Sequence, residues 1–346
     1  MRKHKKIFFL LFLLITIFTC YHCKALTFPD FNSDKVIVYD YTDDKYLYTK
    51  NSKKVTSIAS ITKILTTITA IENIKDLDTK ITITPKMLNS VNRELSKAGL
   101  KANDKVTYRD LLYASILPSG ADATTSLAFL ISGGVDEYVK LMNNEAKKIG
   151  MANSNFVNVT GLDNKNHYST AEDVYKLVKY SLKNPTFIEI FSAKSYILTN
   201  GLKVKSTYVD VLRKLNVDLD TITGGKTGTT GNAGKCFSGT FKSGGHEFIV
   251  VFLNAKYIRG KEYALKDVAL VTDFMDDNYG VQKLIDEGTV IKVLKLKYFK
   301  EDELEIKNKQ IISKYLPNDY DREKFKAIYT MEKEIKPFTK KRWKNR

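Results

Sequence analysis

The segment Ser60-Ile61-Thr62-Lys63-Ile64-Leu65-Thr66 places a serine and a lysine three residues apart at the head of an apolar run. From Ser60 to Ile74, the residues Ile61, Ile64, Leu65, Ile68 and Ile71 cover more than one face, which predicts a buried helix. Side chains at i and i+3 share a helical face. A serine hydroxyl is a weak nucleophile, and a neutral lysine beside it can take its proton. Lysine becomes neutral near pH 7 only when burial or a nearby cation lowers its pKa, and an apolar helix supplies the burial. If Ser60 opens the helix, free N–H groups and the positive end of the dipole also favour a developing oxyanion. The spacing alone is a weak signal, because a capping serine before a surface lysine has the same pattern.

Two further motifs lie downstream. Lys226-Thr227-Gly228-Thr229 follows Gly224-Gly225. A lysine and a hydroxyl on a strand, followed by glycine, can grip a carboxylate while a substrate backbone lies close. The competing reading is a glycine-rich hairpin with a solvated lysine. Between the two motifs, Ser119-Gly120-Ala121-Asp122 follows Pro118. Ser119 with Asp122 also reads as a capping box, and both readings can hold together.

The remaining pattern orders these motifs. Val36 to Asp40 and Tyr46 to Thr49 read as strands joined by a polar turn. Lys80 to Thr84 alternates like a strand and stops at Pro85. Helices are expected after Thr107-x-x-Asp110, over Asp122 to Ile131, over Asp136 to Ile149, and from Thr170-x-x-Asp173 to about Leu182. Ser195 to Leu198, Asp218 to Thr223, Cys236 to Phe241 and Phe248 to Asn254 are short and β-rich, and Lys261 to Met275 returns to helical spacing. The predicted class is α/β in the α+β sense: an antiparallel sheet with flanking helices and a helical insert. A parallel doubly wound fold does not fit.

The chain has 346 residues, 56 basic and 39 acidic, for a formal charge of +17; it is 43% hydrophobic and 27% charged. Ample apolar material excludes collagen-like and generally disordered chains, and the length suggests two domains. Residues 1–25 read as a secretory signal: a basic head, an apolar run from Ile7 to Thr19, and Cys23-Lys24-Ala25 before the cut. An uncleaved N-terminal anchor is the alternative. Cleavage removes Arg2, Lys3, Lys5, Lys6 and Lys24 and takes the charge from +17 to +12. It also removes Cys20 and Cys23, so Cys236 stands alone and reads as a packed core thiol. An exported basic protein, outside the cytoplasmic membrane or in the wall, argues against nucleic acid and for an anionic envelope polymer or membrane surface. With only His167 and His246 left, a metal site is not expected, and neither is a cofactor. His167 reads as structural.

Ser-x-x-Lys, then Ser-Gly-x, then Lys-Thr-Gly, in that order, resembles the penicillin-binding proteins and serine β-lactamases. Ile58 to Thr66, Leu117 to Ala123 and Gly161-Leu162-Asp163-Asn164-Lys165-Asn166-His167-Tyr168-Ser169-Thr170-Ala171 bring the resemblance closest to the serine D-alanyl-D-alanine carboxypeptidases, over roughly Val36 to Gly280. The resemblance implies the β-lactamase/DD-peptidase-like fold and removal of the terminal D-alanine from peptidoglycan stem peptides. It also implies covalent binding of β-lactams. It makes Ser60 the nucleophile, Lys63 the general base, and Ser119 a bonding partner of Lys63 that passes the proton to the leaving amine. Lys226 and Thr227 would orient the substrate carboxylate, and the Lys226 charge would help keep Lys63 neutral. Gly228 would let the substrate lie close, with the N–H groups of Ser60 and Thr229 as the oxyanion hole. Ala121 departs from the family, which usually has Asn there to position lysine and substrate. A family arginine after the last strand has Arg259 and Lys261 in its region.

The implied organisation is a signal peptide over 1–25, a catalytic domain over 26–280, and a small β-rich domain over 281–346 that looks short, as if truncated. Lys336 to Arg346 carries six basic residues and no acid. Such a tail can hold a protein near anionic lipid or polymer at about 1 kcal/mol per well-placed charge, or can be simply solvated. Two other readings stay open. One is a serine β-lactamase, although no Glu-x-x-Leu-Asn segment is found. The other is a non-catalytic peptidoglycan-binding relative, which Ala121 and the short C-terminal region suggest.

Overall fold

A five-stranded sheet draws its strands from both ends of the first 279 residues and leaves the middle of the chain helical. The structure is a computed structural model, and it describes residues 26–295 and 303–321. The expected signal segment and the basic tail lie outside the described residues. The chain divides into two compact units between Tyr279 and Gly280.

In the first unit, β1 (Ser33–Asp40) and β2 (Lys45–Lys50) form the expected hairpin. The short ribbons β3 (Lys80–Thr82) with β4 (Lys105–Thr107), and β5 (Ser195–Ile197) with β6 (Lys203–Lys205), stand apart from the main sheet. Three long strands follow: β7 (Ile222–Thr230), β8 (Gly234–Ser243) and β9 (His246–Ala255). The order is β2-β1-β9-β8-β7, antiparallel throughout. β7 is therefore an edge strand, with one side unpaired by the sheet.

The helices are α1 (Thr62–Asn73), α2 (Pro85–Asn89), α3 (Tyr108–Ile116), α4 (Ala121–Ser132), α5 (Val135–Ile149), α6 (Ala171–Ser181), α7 (Pro185–Ser192), α8 (Val209–Lys214) and α9 (Tyr263–Asn278). In α1 every residue from Thr62 to Ile71 is buried, as its all-round apolar pattern requires. Each fully buried Ile or Leu there contributes about 2 kcal/mol of transfer free energy. The capping box read at Thr107-x-x-Asp110 forms, and the Thr170 hydroxyl accepts from the Asp173 N–H. Asp267 of α9 is buried and accepts from the Ser33 N–H at 2.8 Å and the Ser33 hydroxyl at 2.6 Å, fixing the start of β1.

Two local expectations fail. Asp218 to Thr221 is not strand: the Asp218 carboxylate and carbonyl accept from the Asp220 N–H and the Thr221 hydroxyl, and this turn delays β7 to Ile222. The Ser119–Asp122 capping box is absent. Gly120 is the cap of α4, and the Asp122 carboxylate accepts from the N–H groups of Ala98, Gly99 and Leu100 at 2.8 to 3.0 Å.

From Tyr279 onward, β10 (Tyr279–Ile285) lies beside β13 (Ile312–Pro317), and β11 (Val290–Lys295) pairs antiparallel with β12 (Glu303–Lys307).

Candidate active site

Ser60 sits in a single 3-10 turn, Ala59–Ile61, that leads into α1. The turn is tight because Ala59 takes φ +48, a left-handed conformation that L-residues seldom adopt. Two glycines hold it from outside. Gly161 has φ +86, and a Cβ there would lie 1.8 Å from the Ala59 carbonyl oxygen. A Cβ on Gly228 of β7 would meet Ile58 O, Ala59 Cβ and Ser60 N at 3.0 to 3.1 Å. The distinctive Gly161 segment and the Lys-Thr-Gly strand thus close on the serine turn, through a contact that only glycine permits at Gly161 and a tight one at Gly228.

Lys63 Nζ donates to Ser60 Oγ at 2.8 Å and to the Thr160 carbonyl at 2.9 Å. Lys63 is 1% exposed, and burial pulls its pKa down to about 7, against a smaller upward pull from Asp122. Lys226 is also fully buried, and its pKa falls well below the usual lysine range through burial and then repulsion from Lys63. Lys226 Nζ donates to the Thr227 carbonyl at 2.8 Å. The Thr227 hydroxyl pairs with that of Thr207 at 2.6 Å.

These groups border a cleft of about 250 Å³. Ser60, Ser119, Thr227, Gly228 and Thr229 line it, and Lys63 and Lys226 are buried. The hydrogen bond expected between Ser119 and Lys63 is not formed, since Lys63 uses Ser60 and Thr160 instead. Ser119 does take φ +62, a strained position that turns the chain sharply before α4. Ala121 is buried and does not line the cleft. Its N–H donates to the Ser96 carbonyl at 2.8 Å, and Ser96 is the lining residue on that side. Arg259 and Lys261 are exposed and lie outside the lining; Lys235 of β8 is the cleft's cation.

A family model described as D-alanyl-D-alanine carboxypeptidase (peptidase S11) matches residues 22–257. The chain belongs to the D-alanyl-D-alanine carboxypeptidase family. Among family relatives, D-alanyl-D-alanine carboxypeptidase DacF of Bacillus subtilis (strain 168) is 29% identical over 272 residues, covering 78% of this chain and 68% of the relative. The D-alanyl-D-alanine carboxypeptidase of Streptomyces sp. (strain K15) is 32% identical over 228 residues, 62% of this chain and 78% of the relative. The crystal structure of the Streptomyces K15 DD-transpeptidase superposes with a TM-score of 0.63 at 27% identity, over 72% of this chain and 98% of that one. A peptidoglycan synthesis regulatory factor (PBP3) from Streptococcus pneumoniae shares the fold, with a TM-score of 0.68 at 24% identity over 84% of this chain and 87% of its own. The α+β DD-peptidase-like fold read from the motifs is the fold found.

Within this carboxypeptidase framework, several positioning residues escaped the sequence reading. Asn158 Oδ1 accepts from Thr160 N and Oγ1, Gly161 N and Leu162 N at 2.7 to 3.2 Å, and so fixes the Thr160 carbonyl that holds Lys63. Asn158-Val159-Thr160-Gly161 is an Asx-turn pattern visible in the sequence. Asp163 accepts from the Thr230 hydroxyl at 2.7 Å and Asn232 N at 3.0 Å, tying the loop to the end of β7. His167 Nδ1 accepts from Val157 N at 3.3 Å, which leaves the proton on Nε2 to donate to Thr62 Oγ1 at 2.8 Å. Burial lowers the His167 pKa to about 4, so the ring is neutral at physiological pH. It braces the residue between Ser60 and Lys63, the structural role expected. Cys236 is a buried free thiol whose pKa burial raises to about 12.

Proposed function

We propose that the chain is a serine D-Ala-D-Ala carboxypeptidase that trims peptidoglycan stem peptides through an acyl-enzyme. The observation that carries this is Lys63 Nζ at 2.8 Å from Ser60 Oγ, with Lys63 buried and its pKa near 7. Such a lysine is substantially neutral at pH 7 and within reach of the hydroxyl proton. Ser60 Oγ attacks the carbonyl between the two terminal D-alanines as Lys63 takes its proton. The N–H groups of Ser60 and Thr229 stabilise the oxyanion. The proton reaches the leaving amine by way of Ser119 on the cleft wall. Lys226 and Thr227 hold the substrate carboxylate, and water then releases the shortened peptide. A β-lactam carries a similarly placed amide and acylates the same serine. In this reading residues 26–280 form the catalytic domain, 281–346 a small β-domain, and the first 25 residues direct export to the peptidoglycan.

The test combines a fluorescent penicillin with a D-alanine assay on a stem pentapeptide. A stable adduct on Ser60 and release of one D-alanine are expected, and Ser60→Ala abolishes both. An adduct that persists in Ser60→Ala overturns the nucleophile. Pentapeptide binding without D-alanine release favours the non-catalytic reading that Ala121 suggested. A short-lived adduct with rapid penicillin turnover favours a β-lactamase.

A further inference from the structure

Lys235 is the second residue of β8 and pairs across the ladder with Thr229. Its side chain is only 11% exposed, yet it lines the cleft beside Thr227 and Thr229. Its ammonium donates to Glu262 Oε1 at 2.7 Å and stands 5.5 Å above the Tyr257 ring. Glu262 occupies the cap position of α9, where an acceptor side chain ordinarily takes a free helix N–H. It makes no such bond and turns to Lys235 instead. The Glu262 side chain remains 35% exposed and also lines the cleft. Among the described residues that line it, Lys235 is the one cation and Glu262 the one anion.

We propose that Glu262 is a built-in stand-in for the substrate's terminal carboxylate. This rests on the acyl-transfer reading of the site. In the empty enzyme Glu262 occupies Lys235, and the α-carboxylate of a bound peptide, which the Lys226-Thr227 pair also helps hold, takes its place. One carboxylate exchanges for another, so Lys235 never stays buried without a counter-charge. Glu262, already partly in water, regains hydration as it leaves. A peptide whose C-terminus is amidated cannot complete the exchange and must bind against an intact ion pair. The pair therefore selects free-acid C-termini, and its own strength sets part of KM.

The experiment compares one diacyl-lysyl-D-Ala-D-Ala peptide with its C-terminal amide in the full-length protein. An amide that turns over too slowly is read as a competitor of penicillin labelling. Glu262→Gln removes the competing charge, and KM for the free acid should fall about three- to fivefold with kcat unchanged. Lys235→Met should reduce the preference for free acid over amide by about tenfold or more, and Lys235→Arg should restore most of it. If Glu262→Gln shifts the melting temperature but leaves KM for both peptides unchanged, the pair is a structural strut and the proposal fails. If the wild type neither releases D-alanine nor is labelled by penicillin, the acyl-transfer reading itself fails. A wild type that is active, with a preference the variants do not move, overturns the stand-in alone.

Discussion

Lys63 and Ser60 face each other across one turn at the head of α1, Nζ to Oγ 2.8 Å, with the Thr160 carbonyl as the lysine's second acceptor. Neither acceptor carries a full charge, so the geometry suits a neutral amine as well as an ammonium. Burial then decides between them and brings the lysine pKa to about 7.

A pH dependence follows. The base is active when unprotonated, so the second-order rate of penicillin acylation should rise through about pH 7 and level off above it. Stopped-flow labelling between pH 5 and 9, as an order-of-magnitude span around that value, gives the curve. Lys63→Ala should slow acylation by about 10³-fold or more and remove the acid limb. A wild-type profile flat across this range would mean that Lys63 does not titrate as the base.

The same burial carries a stability cost. The lysine pKa is near 10.5 when unfolded and about 7 when folded. Between those values the unfolded chain holds more protons, so stability rises with pH. The penalty is full below about 7 and fades towards 10.5. Lys63→Met should therefore stabilise the protein by about 1–3 kcal/mol at neutral pH, once the lost hydrogen bonds are discounted, while slowing acylation as Lys63→Ala does. Thermal melts at pH 6 and pH 10, roughly the two ends of that window, should show the gain shrinking at the higher pH.

The glycine contacts predict a contrast between two sites of similar backbone. Gly161 and Gly133 have φ +86 and +81, but a Cβ on Gly161 strikes the Ala59 carbonyl whereas one on Gly133 meets nothing within 4 Å. Gly133→Ala should cost about 1 kcal/mol through backbone strain alone. Gly161→Ala should cost about 3 kcal/mol or more and slow acylation, because the serine turn must move. Equal effects on melting temperature and labelling would show that the clash is relieved elsewhere.

Much of this arrangement was legible because it is local. Ser60 and Lys63 meet through helical spacing alone, and the caps at Thr107 and Thr170 follow a three-residue rule. Asn184-Pro185 was a visible start signal for α7, where the Asn184 side chain accepts from the Phe187 N–H, yet that helix went unread. The Ser119–Asp122 pattern obeyed the local rule and was overridden by three N–H groups from a loop 22 to 24 residues away. Lys235 and Glu262 meet 27 residues apart, and Thr160 meets Lys63 across 97. Such pairs depend on how β8, α9 and the Gly161 loop close on the serine turn, which no short window contains.

Asp122 supplies the final prediction, because among the described residues its carboxylate is the charge that raises the Lys63 pKa against burial. Asp122→Asn removes that charge and leaves burial unopposed. The Lys63 pKa should then fall below about 7, and the acid limb of acylation should move to lower pH. The amide also turns a donor towards N–H groups that now donate to the carboxylate, so the Ala98–Leu100 loop should loosen at a cost of about 1–3 kcal/mol. Melting temperature reads the loop and the labelling profile reads the lysine. A loss of stability with the acid limb unmoved would confine Asp122 to holding the loop, while a limb shifted to higher pH would reverse the electrostatic assignment.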